Sequence, residues 1–314
     1  MVQTVWLHIG TPKSGTSSLQ KYLMQHRDAL SAHGLVYLVS PGRNSCNDIA
    51  IGLNRGRADL LASADVINAE IETRSEEHAL ISSEMFYGMS PQTLLDVMPA
   101  LRDRPLKILV YLRRQDRYIE SMFLQKSKNG RFFGSIADYI AKFDGSGSDY
   151  AAMLADWQDQ EGATVVPRIL ERDRLAGGSV VSDVLHLLGI RDAPAEDAED
   201  VNVSPGYHRV QLLQLATAVD IADPRKLQRR LANKYPQKPE ERGAILGIEA
   251  RVAFLAQYAD GNRKLADAYF EGQKTLFDES DLSNTPKTGV APFSEDQLVE
   301  IKRFLETIKS LQRA

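Results

Sequence analysis

The sequence predicts an α/β fold of three layers, a central and mainly parallel sheet with helices on both faces, followed by a helical C-terminal portion. Three observations carry that expectation. Short β-rich runs alternate with segments of helical period, which implies βαβ crossovers. A glycine-rich turn joins the first run to the first helix, and beyond about residue 205 convincing strands stop.

The five strand candidates are Thr4 to His8, Val36 to Val39, Ala79 to Ser83, Leu106 to Leu112 and Thr164 to Ile169. Thr16 to Ala32 is expected as one helix, with Leu19, Leu23 and Leu30 near one face and Gly34 as its stop signal. Pro91 to Leu101 begins after Ser90, a good N-cap, with proline at the first helical position. Further helices are expected over Asp116 to Lys128, Tyr150 to Gln160 and Val180 to Leu188. The last segment carries Leu298, Ile301, Phe304 and Leu305 as an apolar stripe behind a capping-box spacing of Ser294 and Gln297. These patterns divide the chain into an α/β core over 1–205 and a helical extension over 206–314 packed on it. No internal repeat is visible; "DGSGSD" at 144–149 and "SNTPKTGVAP" at 283–292 read as connectors.

With 314 residues, 43% of them hydrophobic, the chain is large enough to bury a sizeable core. A net charge of −4 argues against a nucleic-acid binder, which needs a basic surplus, so any anion site is local. The single cysteine, Cys46, makes no intrachain disulfide and suits a reducing compartment, so a cytoplasmic location is expected. The first apolar run is too short for an export signal, and nowhere do about 18 apolar residues follow one another, so no membrane span is expected.

In "LHIGTPKSGTSSLQ", residues 7–20, Gly10 and Gly15 keep the five-residue offset of a P-loop, between a strand and a helix. Backbone N–H groups around Lys13 to Thr16 can converge on an anion, the helix N-terminus adds positive field, and Thr16, Ser17 and Ser18 supply hydroxyls. The lysine stands inside the loop, however, and the position after Gly15 is Thr16. The strand ending at Leu112 runs into Arg113 and Arg114, the wrong sign for a magnesium carboxylate. A donor of lower charge than a triphosphate removes the need for a metal.

"TPKSGTSSL" resembles the 5′-phosphosulfate-binding loop of sulfotransferases that use 3′-phosphoadenosine 5′-phosphosulfate (PAPS), within a P-loop-like three-layer fold. The resemblance implies that Lys13 contacts the 5′-phosphate and sulfuryl region, that Pro12, Ser14, Gly15, Thr16 and Ser17 complete the cradle, and that no metal is required. "KILVYLRRQDRYIESMF", 107–123, is similar to the family's second element, a strand-terminal arginine with a serine eight residues later; by that likeness Arg113 and Ser121 bind the 3′-phosphate. Gln115 stands where the commoner pattern has proline, and Leu170 where many relatives carry an aromatic residue before the glutamate, here Glu171. Asn202 and Ser204 resemble a short polar motif further on. Arg114 and Arg117 read as solvated surface charge.

In sulfuryl transfer the acceptor attacks better when a positioned base takes its proton. The family places a histidine or glutamate near the end of the third strand, and "LISSEMFY", 80–87, puts Glu84 there, with Ser82 and Ser83 as polar supports. Capping of the next helix or pairing with an arginine are the other uses open to Glu84. His8 reads as buried structure, and His26, His33, His78, His186 and His208 have no motif around them. Polar "SPGRNSCNDIAIGLNRGR", 40–57, reads as a loop whose Arg43, Arg55 and Arg57 either line an acceptor cleft or are solvated.

The expected activity is transfer of a sulfuryl group from PAPS to a hydroxyl or amine, with 3′,5′-adenosine bisphosphate as product. The loop and the glutamate resemble the bacterial and carbohydrate-modifying branch, which implies a carbohydrate or other small-molecule acceptor. A P-loop small-molecule kinase and a non-catalytic nucleotide-binding module are the alternatives.

Overall fold

The structure is a computed structural model that describes residues 2–11, 14–132, 134–145, 147–195, 206–218, 224–235, 244–289 and 295–312. Its five strands are β1 (Thr4–His8), β2 (Leu35–Leu38), β3 (His78–Ser82), β4 (Leu106–Leu112) and β5 (Ala163–Ile169), all parallel, in the order β2-β3-β1-β4-β5. Each begins and ends within one residue of its expected bounds. Strands buried on both faces read as apolar runs, and these were visible as such. Pro167 sits on β5, where an edge strand tolerates a missing N–H donor.

Alternation along the strands builds two cores. Val5, Leu7, Ile9, Ile81, Ile108 and Val110 point into one layer; Trp6, Tyr37, Leu80, Leu109 and Tyr111 point into the other. The first layer is covered by α3 (Asn47–Arg55), α4 (Ala58–Thr73), α5 (Pro91–Val97), α8 (Tyr150–Gln158) and α13 (Ala259–Tyr269). The second is covered by α1 (Thr16–Gln25), α2 (Arg27–Ala32) and α9 (Val180–Leu187). β1 lies mid-sheet with β3 on one side and β4 on the other, so the chain's path reverses direction at β1. Open α/β sheets form a crevice at the carboxyl ends beside such a point.

Three expectations of local structure change. The helix expected over Pro91 to Leu101 ends at Val97, because Met98 leaves the helical region (φ −124°, ψ 61°), and a single 3-10 turn follows at Pro99–Leu101. The single helix over 16–32 is two, α1 and α2, because His26 leaves the helical region (φ −109°, ψ 19°) with its ring packed 4.6 Å from that of Tyr22. The stretch 40–57 is not one polar loop: α3 occupies Asn47–Arg55, because Ile49 and Ala50 are fully buried in the core layer that also takes Ala64, Ile67 and Ile71 of α4. Arg43, Arg55 and Arg57 are exposed, and Arg57 forms an ion pair with Asp59 at 2.5 Å.

By contact density the chain forms two compact units that interleave along the sequence. The first comprises residues 1–114, 145–201 and 259–277 and contains the whole sheet; the second comprises 115–144, 202–258 and 278–314. This partition is distinct from a single boundary after residue 205. The second unit contains α6 (Gln115–Lys128), α7 (Ile136–Ala141), α10 (Tyr207–Ala218), α11 (Pro224–Lys234), α12 (Ile248–Ala256) and α14 (Glu295–Gln312). Within it, buried Arg251 pairs with Asp116 and, at 2.6 Å, with Glu120, whose Oε1 also accepts from the N–H groups of Ile245 and Leu246. Ser294, Asn202 and Ser204 lie outside the described residues. No described helix is long and apolar enough to cross a membrane.

Candidate active site

The first strand hands over to its loop under tight backbone control. Ile9 N–H donates to Leu109 O at 3.0 Å and Gly10 N–H to Ser83 O at 3.1 Å, which ties the loop entrance to β4 and to the end of β3. Thr11 Oγ1 donates to Tyr111 O at 2.7 Å, and Ser14 Oγ donates to Thr11 O at 2.6 Å. The hydroxyls of Ser14 and Thr16 lie 3.3 Å apart. Gly15 caps α1 from the left-handed region (φ 81°), and a Cβ there would meet Val180 Cγ2 at 2.9 Å; a Cβ on Gly10 would meet Thr16 Oγ1 at 2.5 Å. Both glycines are therefore demanded by geometry.

Among the described residues no side chain caps the N-terminus of α1, and no acidic residue occupies its first turn. Its leading N–H groups face the space before the helix, the arrangement that receives an oxyanion. Ser14 and Thr16 are buried and brace the loop, while Ser17 is exposed at the helix tip. Pro12 and Lys13 lie outside the described residues.

At the neighbouring strand end a polar cluster forms. His8 Nδ1 and Ser82 Oγ are 2.9 Å apart, and Gln20 Nε2 of α1 donates to the same hydroxyl at 3.1 Å. Burial pushes the His8 imidazole down to about 4, so it is neutral near pH 7. Cys46 N–H donates to Ser82 O at 3.0 Å and so brings the start of α3 against the end of β3. Burial pushes the Cys46 thiol up to about 12, which makes it a poor nucleophile. Ser83 Oγ donates to Asn47 Oδ1 at 2.6 Å and accepts from Met85 N–H at 3.1 Å. Glu84 lies inside that turn, half-buried. Among the described residues it caps no helix and pairs with no arginine.

β4 ends at Leu112, and Arg113 follows, half-buried, its carbonyl accepting from Tyr150 Oη at 2.7 Å. β1 and β4 are adjacent in the sheet, so Arg113 and the glycine loop leave the same edge from neighbouring strands. Ser121, 8% exposed, is on α6 in the second unit. Arg114 departs from its expected solvated role: it is 4% exposed. Arg117 is exposed and pairs with Asp281 at 2.5 Å.

Sequence reasoning missed the polar hub behind the loop. Asp183 of α9 is fully buried and accepts from Arg168 Nε (2.8 Å) and Nη2 (2.6 Å), Tyr111 Oη (2.9 Å) and Ala176 N–H (2.9 Å). Burial alone raises the Asp183 pKa, but the hydrogen bonds from Arg168, Ala176 and Tyr111 outweigh it and hold the carboxyl below the usual range. The available signal was a lone aspartate in apolar "VVSDVLHL". A separate cavity of about 520 Å³, lined by Val181, Ser182, Leu185, His186 and Arg191 among others, contains none of the expected site residues. Among the described residues no group of three or more His, Cys, Asp or Glu is arranged to hold a metal.

No family model matches the chain. An uncharacterised protein of Archaeoglobus fulgidus is 29% identical over 204 residues, which cover 63% of this chain and 55% of that protein, so the match spans about half of the relative's length. Among solved structures, a sulfotransferase from Alicyclobacillus acidocaldarius is similar at 20% identity and a TM-score of 0.42, covering 77% of this chain and all of that one. Mouse sulfotransferase SULT7A1, complexed with PAP, is similar at 11% identity and a TM-score of 0.29, covering 99% of this chain and 88% of that one.

Proposed function

We propose that the protein is a sulfotransferase that moves the sulfuryl group of PAPS to a hydroxyl or amine of a carbohydrate or other small acceptor. One observation carries the reading: an uncapped helix N-terminus behind a left-handed Gly15 shares its sheet edge with Arg113 on the adjacent strand. Two sites for anions on neighbouring strands suit a donor with a phosphosulfate at one end and a phosphate at the other. An arginine in place of a carboxylate at the end of β4 suits a donor bound without magnesium. The lone, buried cysteine accords with a cytoplasmic protein.

PAPS brings a sulfuryl group on a good leaving phosphate; the chain binds, orients and moves the proton. Lys13, the loop N–H groups and the hydroxyls of Thr16 and Ser17 take the 5′ end, and Arg113 with Ser121 takes the 3′-phosphate. Glu84 accepts the acceptor's proton as the new O–S or N–S bond forms in line with the S–O bond that breaks, and Lys13 offsets charge on the leaving phosphate. Positioning and preorganised electrostatics supply most of the acceleration in such displacements.

Calorimetry with 3′,5′-adenosine bisphosphate in chelator tests the reading. Binding without metal is expected, weakened roughly 10- to 100-fold by Arg113→Ala, the worth of a charge-assisted hydrogen bond. Binding of magnesium–ATP in place of the bisphosphate would move the protein to the small-molecule kinases. Bisphosphate binding with no acceptor modified would make it a non-catalytic module.

A further inference from the structure

Ser83 fixes the orientation of a side chain that the mechanism above leaves unused. Its hydroxyl accepts from Met85 N–H at 3.1 Å, so its own proton goes to Asn47 Oδ1 at 2.6 Å. The oxygen of the Asn47 amide is thereby turned to Ser83, and Nδ2, on the other arm, carries two N–H donors. Those donors meet no acceptor among the described residues. The backbone leaves Ser83 no freedom to change this: its N–H donates to His8 O at 3.1 Å and its carbonyl accepts from Gly10 N–H. Cys46 N–H on Ser82 O holds the preceding residue of the same segment in place.

Glu84 follows Ser83 directly, half-buried like Asn47. Ser83 thus links the two in sequence and by hydrogen bond: its hydroxyl holds the Asn47 amide, a donor group, and the residue after it carries the Glu84 carboxylate, an acceptor group. A hydroxyl losing its proton to Glu84 uses only the carboxylate. An oxygen on the neighbouring carbon of the same acceptor is what the amide would satisfy.

We infer that Asn47 is a specificity-determining residue whose Nδ2 donates to an oxygen adjacent to the attacked hydroxyl, so that the acceptors are vicinal diols, as on a sugar ring, and not isolated alcohols. The inference rests on Glu84 acting as base in the proposed transfer. In the step the hydroxyl proton passes to Glu84, the oxygen–sulfur bond forms, and the sulfur–oxygen bond to the 5′-phosphate breaks to release 3′,5′-adenosine bisphosphate. Asn47 changes no bond and keeps its protons.

The test measures transfer from PAPS to cis-cyclohexane-1,2-diol and to cyclohexanol, two rings of the same size. The wild-type protein is expected to favour the diol roughly tenfold in kcat/KM, the worth of about one neutral hydrogen bond. Asn47→Asp keeps the oxygen that Ser83 needs and the side-chain shape but has no N–H to donate, so the diol preference should collapse towards unity with bisphosphate affinity unchanged. Asn47→Ala should lose the preference as well. A merely structural Asn47 would keep the preference in Asn47→Asp, and that result overturns the inference. So does a wild-type protein that binds the bisphosphate yet treats the two alcohols alike or sulfates neither. Failure to bind the bisphosphate at all would instead sink the donor reading on which this one stands.

Discussion

Asp183 shows how much a single buried carboxylate organises. It joins the side chain of Tyr111 on β4, the Arg168 guanidinium on β5 and the N–H of Ala176, and the backbone carbonyl of Tyr111 in turn holds Thr11 of the loop. Asp183→Ala leaves Arg168 and Tyr111 without their acceptor. A loss of about 3 kcal/mol is expected in urea unfolding, near the lower end for a broken buried pair because Arg168 is partly exposed. Since the folded-state pKa of Asp183 is depressed, its stabilisation is present above the ordinary carboxylate value near 3.8 and is lost as pH falls through the lower folded value. His8 acts at higher pH. Its folded pKa of about 4 lies below the ordinary 6.5, so acid favours the unfolded chain progressively between those values. Replacement by glutamine should flatten that part of the stability profile, which thermal melts at stepped pH would read. An unchanged profile would contradict a buried neutral His8.

At the scale of elements, the turn from β1 into α1 is the part whose geometry tolerates least. Gly15→Ala places a Cβ at positive φ and 2.9 Å from Val180. A cost of at least about 1–2 kcal/mol is expected from the backbone alone, with bisphosphate binding weakened more than in a surface variant of equal stability. Calorimetry on the folded fraction separates the two effects. The strands and this turn were legible because their signals are local: β-branched apolar runs and a fixed glycine spacing. The break at His26 was not, since the leucine stripe runs on through both helices and only the backbone of one residue departs. Helix α3 was hidden by composition, because "SPGRNSCNDIAIGLNRGR" is polar overall and its short buried stripe, Ile49 and Ala50, emerges only against the other residues of that core.

For the whole molecule, the two compact units interleave along the sequence. The chain leaves the sheet-bearing unit after Arg114, returns at Gly145, and contributes α13 to the same layer from far downstream. In the second unit, Arg251 serves two carboxylates of α6, and burial raises the Glu120 pKa despite that guanidinium. Arg251→Ala would strand both acids; a destabilisation of about 3–5 kcal/mol is expected in a denaturant titration, and Arg251→Lys should recover only part of it.

The sequence by itself determined the α/β class, the strand positions, the β–loop–helix turn with its two obligatory glycines, and Arg113 at the end of β4. Each of these follows from residues close together in the chain, where side-chain period and backbone sterics act alone. Tertiary structure decided the strand order, the burial of Arg114, the Asp183 hub, and the approach of Asn47 to Ser83 beside Glu84. Those depend on which crossover lays one segment over another, and a hydrogen bond between residues 36 positions apart exists only once β3 and the start of α3 have met.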